Sequence, residues 1–115
     1  MASSKSLREE IIRDDTIVIT TGATLDNNNA HEMVDAILSA QDRGFKNIII
    51  DMQALQFLSS AGVGSILGTV EASREAGGDI VLCHVSPNIL HVFSVLDLAE
   101  FLTIRPTREQ ALAAK

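Results

Sequence analysis

The sequence predicts a single α/β domain with a mainly parallel sheet. Three observations carry that prediction. The chain has 115 residues, the usual length of one domain and too short for two ordinary ones. From residue 30 onward, stretches of helical period alternate with short apolar runs, the pattern of successive β-α-β crossovers with right-handed connections. Hydrophobic residues make up 46% of the chain, yet it holds four Phe and no Trp or Tyr. A domain this size must bury much of that apolar content, so the core is built from Ile, Leu, Val and Ala.

The elements follow in order. Residues 10–21 carry two apolar stretches, Ile11-Ile12 and Ile17-Val18-Ile19, separated by Asp14-Asp15. The acidic pair is a turn signal, and a β-hairpin is the simplest reading. Asp26, Asn27 and Asn28 offer N-caps for a helix over 30–40. There Met33, Ala36, Ile37 and Ala40 share one side, while Glu32, Asp35 and Ser39 fall largely elsewhere. Gly44 ends that helix. Residues 46–51, KNIIID, predict a strand whose continuous isoleucine run suits a position covered on both faces.

Residues 52–58 read as a loop with apolar anchors. Ser59 and Ser60 are good caps for a helix over 61–74, whose stripe is Val63, Ile66, Leu67 and Val70. Gly62, Gly64 and Gly68 each weaken a helix by ~1 kcal/mol relative to Ala. Either close approach to the sheet or an exposed flat surface would offset that. Gly77-Gly78 terminates the helix, and residues 79–83 form another strand. Ser86-Pro87 pairs a cap with a first helical proline, opening a helix whose apolar face is Ile89, Leu90, Phe93 and Leu96. Residues 101–104 predict a short strand. Thr107 with Gln110 three residues on gives the capping-box pattern of a short last helix. The expected order is β-β-α-β-α-β-α-β-α, with residues 1–6 a polar leader and 7–115 the domain.

Several function classes are disfavoured. The net charge is −6, from 15 acidic and 9 basic residues, and the basic residues are scattered rather than clustered as nucleic-acid binding requires. Cys83 is the sole cysteine, so there is no internal disulfide, and its place in IVLC suits a buried small hydrophobe. No stretch approaches a membrane span and the start carries no hydrophobic signal region, so a cytoplasmic protein without membrane insertion is expected. His31, His84 and His91 show no close ligand pair, and only Cys83 accompanies them, so neither a metal nor a cofactor is expected. Asp51 ends a strand, where a carboxylate more often braces a loop than reacts. SSAGVGS has neither phosphate-loop nor dinucleotide-loop order. A small-ligand enzyme, the alternative of a different class, would need a pocket gathering Asp51, His84 or His91 with a bound ligand and measurable turnover.

The informative segment is residues 57–64, FLSSAGVG. Two hydroxyls stand before a glycine-interrupted helix whose start small residues keep accessible. Such a start presents backbone N–H groups and hydroxyls to a partner. A phosphoryl group there adds ≈ −1.5 to −2 charges. The plainer alternative is that both serines simply cap the helix.

At this segment the chain resembles the STAS domain family, especially bacterial anti-sigma-factor antagonists. The resemblance runs through TTGATLDNNNA, KNIIIDMQALQFLSSAGVGSI, AGGDIVLCHVSPNI and FLTIRPTREQAL, in that order. It implies a small sheet with packed helices, no catalysis, and a partner that is an ATP-dependent serine kinase doubling as an anti-sigma factor. It also implies a PP2C-type, metal-dependent phosphatase that reverses the modification. Ser60 takes the position of the phosphorylated serine, and Gly62 and Gly64 match the glycines that follow. Asp51 matches the strand-end aspartate, with a structural or recognition role. Asp26 matches the early Leu-Asp pair, and Asn29 with Ala30 approximates the asparagine-alanine pair. The implied partner-binding set is therefore Asp26, Asn29, Ser59, Ser60, Gly62 and Gly64. The family aspartate before the acceptor is Ser59 here, and the serine after it is Ala61. Loss of the carboxylate removes a polar brace or a kinase-recognition element, and makes Ser59 an alternative acceptor. The glycine often found after the third helix is missing from VLDLAEF. These departures keep a second reading open, a non-switching STAS scaffold in a stressosome or lipid-transport complex. An exposed sheet edge could also support a weak homodimer.

Overall fold

The computed structural model describes residues 7–114; the expected polar leader, 1–6, and residue 115 lie outside the described residues. β1 (Arg8–Arg13) and β2 (Thr16–Thr20) form the expected antiparallel hairpin, with Ile11 opposite Ile17. Ile11 itself is exposed, because β1 is an edge strand whose outer face meets solvent. β4 (Asn47–Asp51), β6 (Asp79–Cys83) and β7 (Thr103–Arg105) extend the sheet in parallel, in the order β1-β2-β4-β6-β7.

β2, β4 and β6 are buried along nearly their whole length, as expected for strands covered on both faces. Ile17, Ile19, Ile48, Ile50, Ile80 and Leu82 line one face and pack with residues of three helices, α1 (Ala30–Asp42), α2 (Ser60–Glu75) and α3 (Pro87–Val95). Val18, Ile49, Val81 and Cys83 line the other face and meet Ala111 of α4 (Arg108–Ala113). The strands step outward in chain order, so the sheet lacks the reversal of strand order that opens a ligand crevice in doubly wound folds.

Two short strands were not expected. β3 (Thr24–Leu25) and β5 (Phe57–Leu58) pair in parallel as a separate two-stranded sheet. The 52–58 segment, read as loop, is thus partly strand. Its apolar anchors explain this: Leu55 and Leu25 are buried together, which brings the Gln56 and Phe57 N–H groups onto the Ala23 carbonyl (2.7 and 3.1 Å). The α1 cap also differs from expectation. Asn29, not a residue of 26–28, flanks the helix, and it makes no side-chain cap bond. The Asp26 carbonyl instead accepts from Asn29 N and Ala30 N (3.1 and 2.8 Å), making a turn before the helix.

α3 buries only part of its expected face. Ile89 and Phe93 are buried, one turn apart, whereas Leu90 is 40% and Leu96 50% exposed. Leu90 is rotated about 100° from Ile89, and Leu96 is the C-cap, already leaving the helix. Residues 101–102 belong to the turn that follows, since both Phe101 N and Leu102 N donate to the Leu98 carbonyl (3.0 Å each). The last strand is accordingly 103–105 rather than 101–104.

The first three helices end in the same way. The N–H of the residue after the C-cap and the N–H of the next residue donate back to carbonyls of the last turn: Gly44 and Phe45 after α1, Gly77 and Gly78 after α2, Asp97 and Leu98 after α3. The motif puts its first residue in the left-handed region. Gly44 (φ 95°) and Gly77 (φ 90°) adopt it freely, but Asp97 (φ 60°) carries a side chain there. The glycine missing from VLDLAEF is therefore replaced by a residue that tolerates the conformation at some cost. Asp97→Gly should raise stability by roughly 0.5–1 kcal/mol, read as a higher urea midpoint with an unchanged slope.

Candidate functional site

α2 begins where the small β3/β5 sheet meets the carboxyl end of β4. Ser59, the N-cap, accepts from Gly62 N through its hydroxyl (3.2 Å) and donates its own N–H to the Leu25 carbonyl (3.0 Å). The bond between Ser59 and Leu25 ties the start of α2 to the Asp26 loop. Ser59 thus supplies a hydroxyl cap at the position of the family aspartate, and a hydroxyl caps a helix as well as a carboxylate. What is lost is the negative charge.

Ser60 occupies the first helical position and is exposed. Its hydroxyl has no hydrogen-bond partner among the described residues. The two serines are therefore not both caps: Ser59 is committed to the helix, and Ser60 is free. The first turn of α2 carries no acidic residue, so a phosphate on Ser60 would meet the positive end of the helix dipole and no carboxylate of its own turn.

The three helix glycines separate into two kinds. A Cβ on Gly62 would stand 2.5 Å from the Leu25 carbonyl oxygen and 2.7 Å from Leu58 Cδ1, whereas a Cβ on Gly64 or Gly68 would meet nothing within 4 Å. Close approach explains Gly62 alone. Gly64 is exposed on the helix surface near Ser60 and leaves that surface flat. Gly68→Ala should therefore raise stability by up to ~1 kcal/mol through helix propensity, detectable as a higher thermal midpoint. Gly64→Ala should do the same while placing a methyl on the surface beside Ser60.

Asp26 and Asn29 build their own loop. Asp26 N donates to Asn29 Oδ1 (2.9 Å), Asn28 N to Asp26 Oδ1 (2.9 Å), and Asn29 Nδ2 to the Thr24 carbonyl (3.0 Å). Both ends of the Asn29 amide are engaged within the loop. Phe57, in the strand just before the serines, is 54% exposed. The two-residue strand sends Leu58 toward the core and Phe57 outward. Sequence reasoning passed over Phe57, although an aromatic immediately before two serines, in a chain with four Phe, was a visible signal.

Asp51 lies away from this surface, on the face covered by α4. It is only 4% exposed. Its Oδ1 accepts from Gln53 N (3.0 Å) and faces His84 Nδ1 (3.1 Å), and its Oδ2 faces Arg108 Nη2 (3.4 Å). Arg108 also reaches Glu10 of β1 (2.9 Å), and those two carboxylates, Glu10 foremost, raise its pKa and hold it charged. Asp51 thus braces the strand ends to α4, which is the structural role the resemblance allows. The link to His84 and Arg108 was invisible in sequence, since the partners stand 33 and 57 residues away. His31 and His91 are exposed, and Asp51 meets neither.

The STAS domain profile matches residues 8–111. The chain is 29% identical over 104 residues to the anti-sigma F factor antagonist of Lysinibacillus sphaericus, covering 90% of this chain and 88% of that protein. The solved unphosphorylated form of the anti-sigma factor antagonist SpoIIAA superposes with a TM-score of 0.78 at 27% identity, over 92% of each chain. The phosphorylated form of SpoIIAA from Bacillus superposes with a TM-score of 0.73 at 26% identity, over 93% of this chain and 96% of that one. The match spans every strand, the first three helices including the Ser60 start of α2, and the first residues of α4, and the chain belongs to the STAS domain family.

Proposed function

We propose that this protein is an anti-sigma-factor antagonist. It docks on a serine kinase that is also an anti-sigma factor, and phosphorylation of Ser60 ends the docking. The observation that carries the reading is the division of labour at the start of α2. Ser59 caps the helix, leaving the Ser60 hydroxyl exposed and unbonded on a rigid, small-residue surface. A kinase can reach that hydroxyl without unfolding the helix, and a phosphate there changes the charge of the face without removing a hydrogen bond that holds the fold. Ser60 is a substrate residue in this reading, not a nucleophile, and a PP2C-type phosphatase resets it. The similarity to SpoIIAA, solved with and without phosphate, supports the same arrangement. The reading implies a bacterial cytoplasmic protein, and no helix among the described residues is long and apolar enough to cross a membrane.

The docking face comprises Ser60, the flat surface at Gly64, the Asp26 loop and the exposed ring of Phe57. Phe57→Ala should weaken capture of the partner by about 1–2 kcal/mol, roughly tenfold, with little change in thermal midpoint, because the ring is mostly in solvent.

An affinity pull-down from native lysate, with phosphopeptide mapping of the bait, tests the function. Recovery of an ATP-binding serine kinase, with phosphate on Ser60 that weakens capture, is the expected result. Phosphate on Ser59 instead would require the cap to open first. Recovery of stressosome or transporter proteins with neither serine modified would replace the switch by a scaffold.

A further inference from the structure

Asp51, Cys83 and His84 come together on the side of the sheet away from Ser60, and docking needs none of them. Asp51 and Cys83 are register partners on the adjacent parallel strands β4 and β6. His84 follows directly and has a left-handed backbone (φ 55°), uncommon for a residue with a side chain and a feature of constrained sites. The turn brings its Nδ1 to 3.1 Å from Asp51 Oδ1. One carboxylate oxygen, one ring nitrogen and the thiol sulfur all lie within 4.8 Å of one another.

The geometry points to a metal site: Asp51 Oδ1, Cys83 Sγ and His84 Nδ1 bind a single zinc-class divalent ion, with water in the fourth position. Carboxylate, thiolate and imidazole are the donors zinc takes. With metal–oxygen and metal–nitrogen distances of about 2.0–2.1 Å, two tetrahedral ligands stand roughly 3.3 Å apart, close to the carboxylate–imidazole spacing here. Arg108 approaches the other carboxylate oxygen, Oδ2, at 3.4 Å, and Gln53 N donates to Oδ1 at 3.0 Å; both orient the carboxylate from outside, and Oδ1 meets the ion through its remaining lone pair. Asp51 and Arg108 border an open cleft of about 440 Å³, with Thr20 and Gln53; of the three ligands, Asp51 alone lines it.

On binding, the Cys83 S–H bond breaks, its electron pair forms the sulfur–metal bond, and the proton passes to water; the ring proton that His84 Nδ1 directs at Asp51 Oδ1 moves through water to Nε2, which frees the Nδ1 lone pair for the metal. One thiolate and one carboxylate then balance the two positive charges, while Arg108 keeps its pairing with Glu10. The charged groups around the site include Arg108, Glu10 and Glu109, with Arg8 and Glu9 on the cleft that Asp51 borders.

Titration of the full chain with Co2+ tests the site, since a thiolate ligand gives a near-ultraviolet charge-transfer band. The band should appear, saturate at one ion per chain and disappear on addition of Zn2+. Cys83→Ser should abolish it. His84→Asn, which keeps a residue suited to the left-handed backbone and leaves the thiol in place, should weaken Co2+ binding at least a hundredfold, beyond the roughly 10–100-fold typical of second-shell changes. Co2+ binding without a thiolate band would point to surface histidines and overturn the proposal. So would a band that survives in Cys83→Ser, or a His84→Asn chain that binds as tightly as wild type.

Discussion

Gly62→Ala is expected to lower the free energy of unfolding by about 2–3 kcal/mol, a large overpacking penalty for one methyl group. The new Cβ would stand 2.5 Å from the Leu25 carbonyl oxygen, and only one of its two close neighbours can withdraw. Leu58 Cδ1, at 2.7 Å, is the end of a flexible side chain and can rotate away. The carbonyl cannot, because it accepts from Ser59 N and belongs to β3, which pairs with β5. Relief requires α2 to slide away from the small sheet, opening the Ser59 cap. Thermal and urea unfolding of the variant beside Gly68→Ala checks this. The same chemical change, six residues apart on one helix, should have opposite signs. Equal midpoints would show that α2 shifts at little cost and that Gly62 has no packing reason to be glycine.

Stoichiometric phosphorylation of Ser60 is expected to reduce affinity for the kinase partner at least a hundredfold, about 3 kcal/mol, while moving the thermal midpoint by less than about 2 °C. The large term is intermolecular. Docking would remove water from a phosphate carrying nearly two negative charges, on a face where the described first turn of α2 supplies no Lys or Arg to neutralise it. The small term is intramolecular, since Ser60 is exposed and its hydroxyl holds nothing. Ser60→Asp should show a reduced version, having one charge and no tetrahedral bulk. Calorimetry of the partner with each form separates the cases. Equal affinity of the phosphorylated, aspartate and wild-type proteins would end the switch reading. Loss of affinity together with a fallen midpoint would mean that the phosphate acts by unfolding the helix start.

The sheet and its helices were legible because their signals are local. KNIIID can only be a strand buried on both faces, and Ser86-Pro87 sets a helix start by its own chemistry. The errors fall where distant contacts decide. Nothing near Phe57 announces that it pairs with Thr24, because a two-residue strand has no periodicity to read. Leu90 and Leu96 looked like core because they are leucines at helical spacing, but α3 stops at Val95 and its neighbours cover only the Ile89 and Phe93 side. The candidate site shows the same division. The position of Ser60 was readable from FLSSAGVG. Which serine caps and which is free was not, because that depends on a 3.2 Å bond from Gly62 and on how β3 holds Ser59. His84 shows it too: its partner is Asp51, one strand across, and nothing beside it in sequence announces that contact.

The order in which the strands sit has a consequence for biogenesis. Because β1, β2, β4, β6 and β7 lie side by side in the order of translation, each strand leaving the ribosome finds its docking edge already made. The sheet can grow by addition, with no strand waiting for a distant partner and little loop closure left for the end. The exception is the second face. Val18, Ile49 and Val81 gain their cover from α4, which follows all five strands of the sheet in chain order, so the nascent chain carries an uncovered aliphatic surface until residues 108–113 have been made. A chain cut short before residue 108 would keep its strands and the Ser60 surface, but it would present that aliphatic face to its neighbours, and association would be the fate of the truncated product.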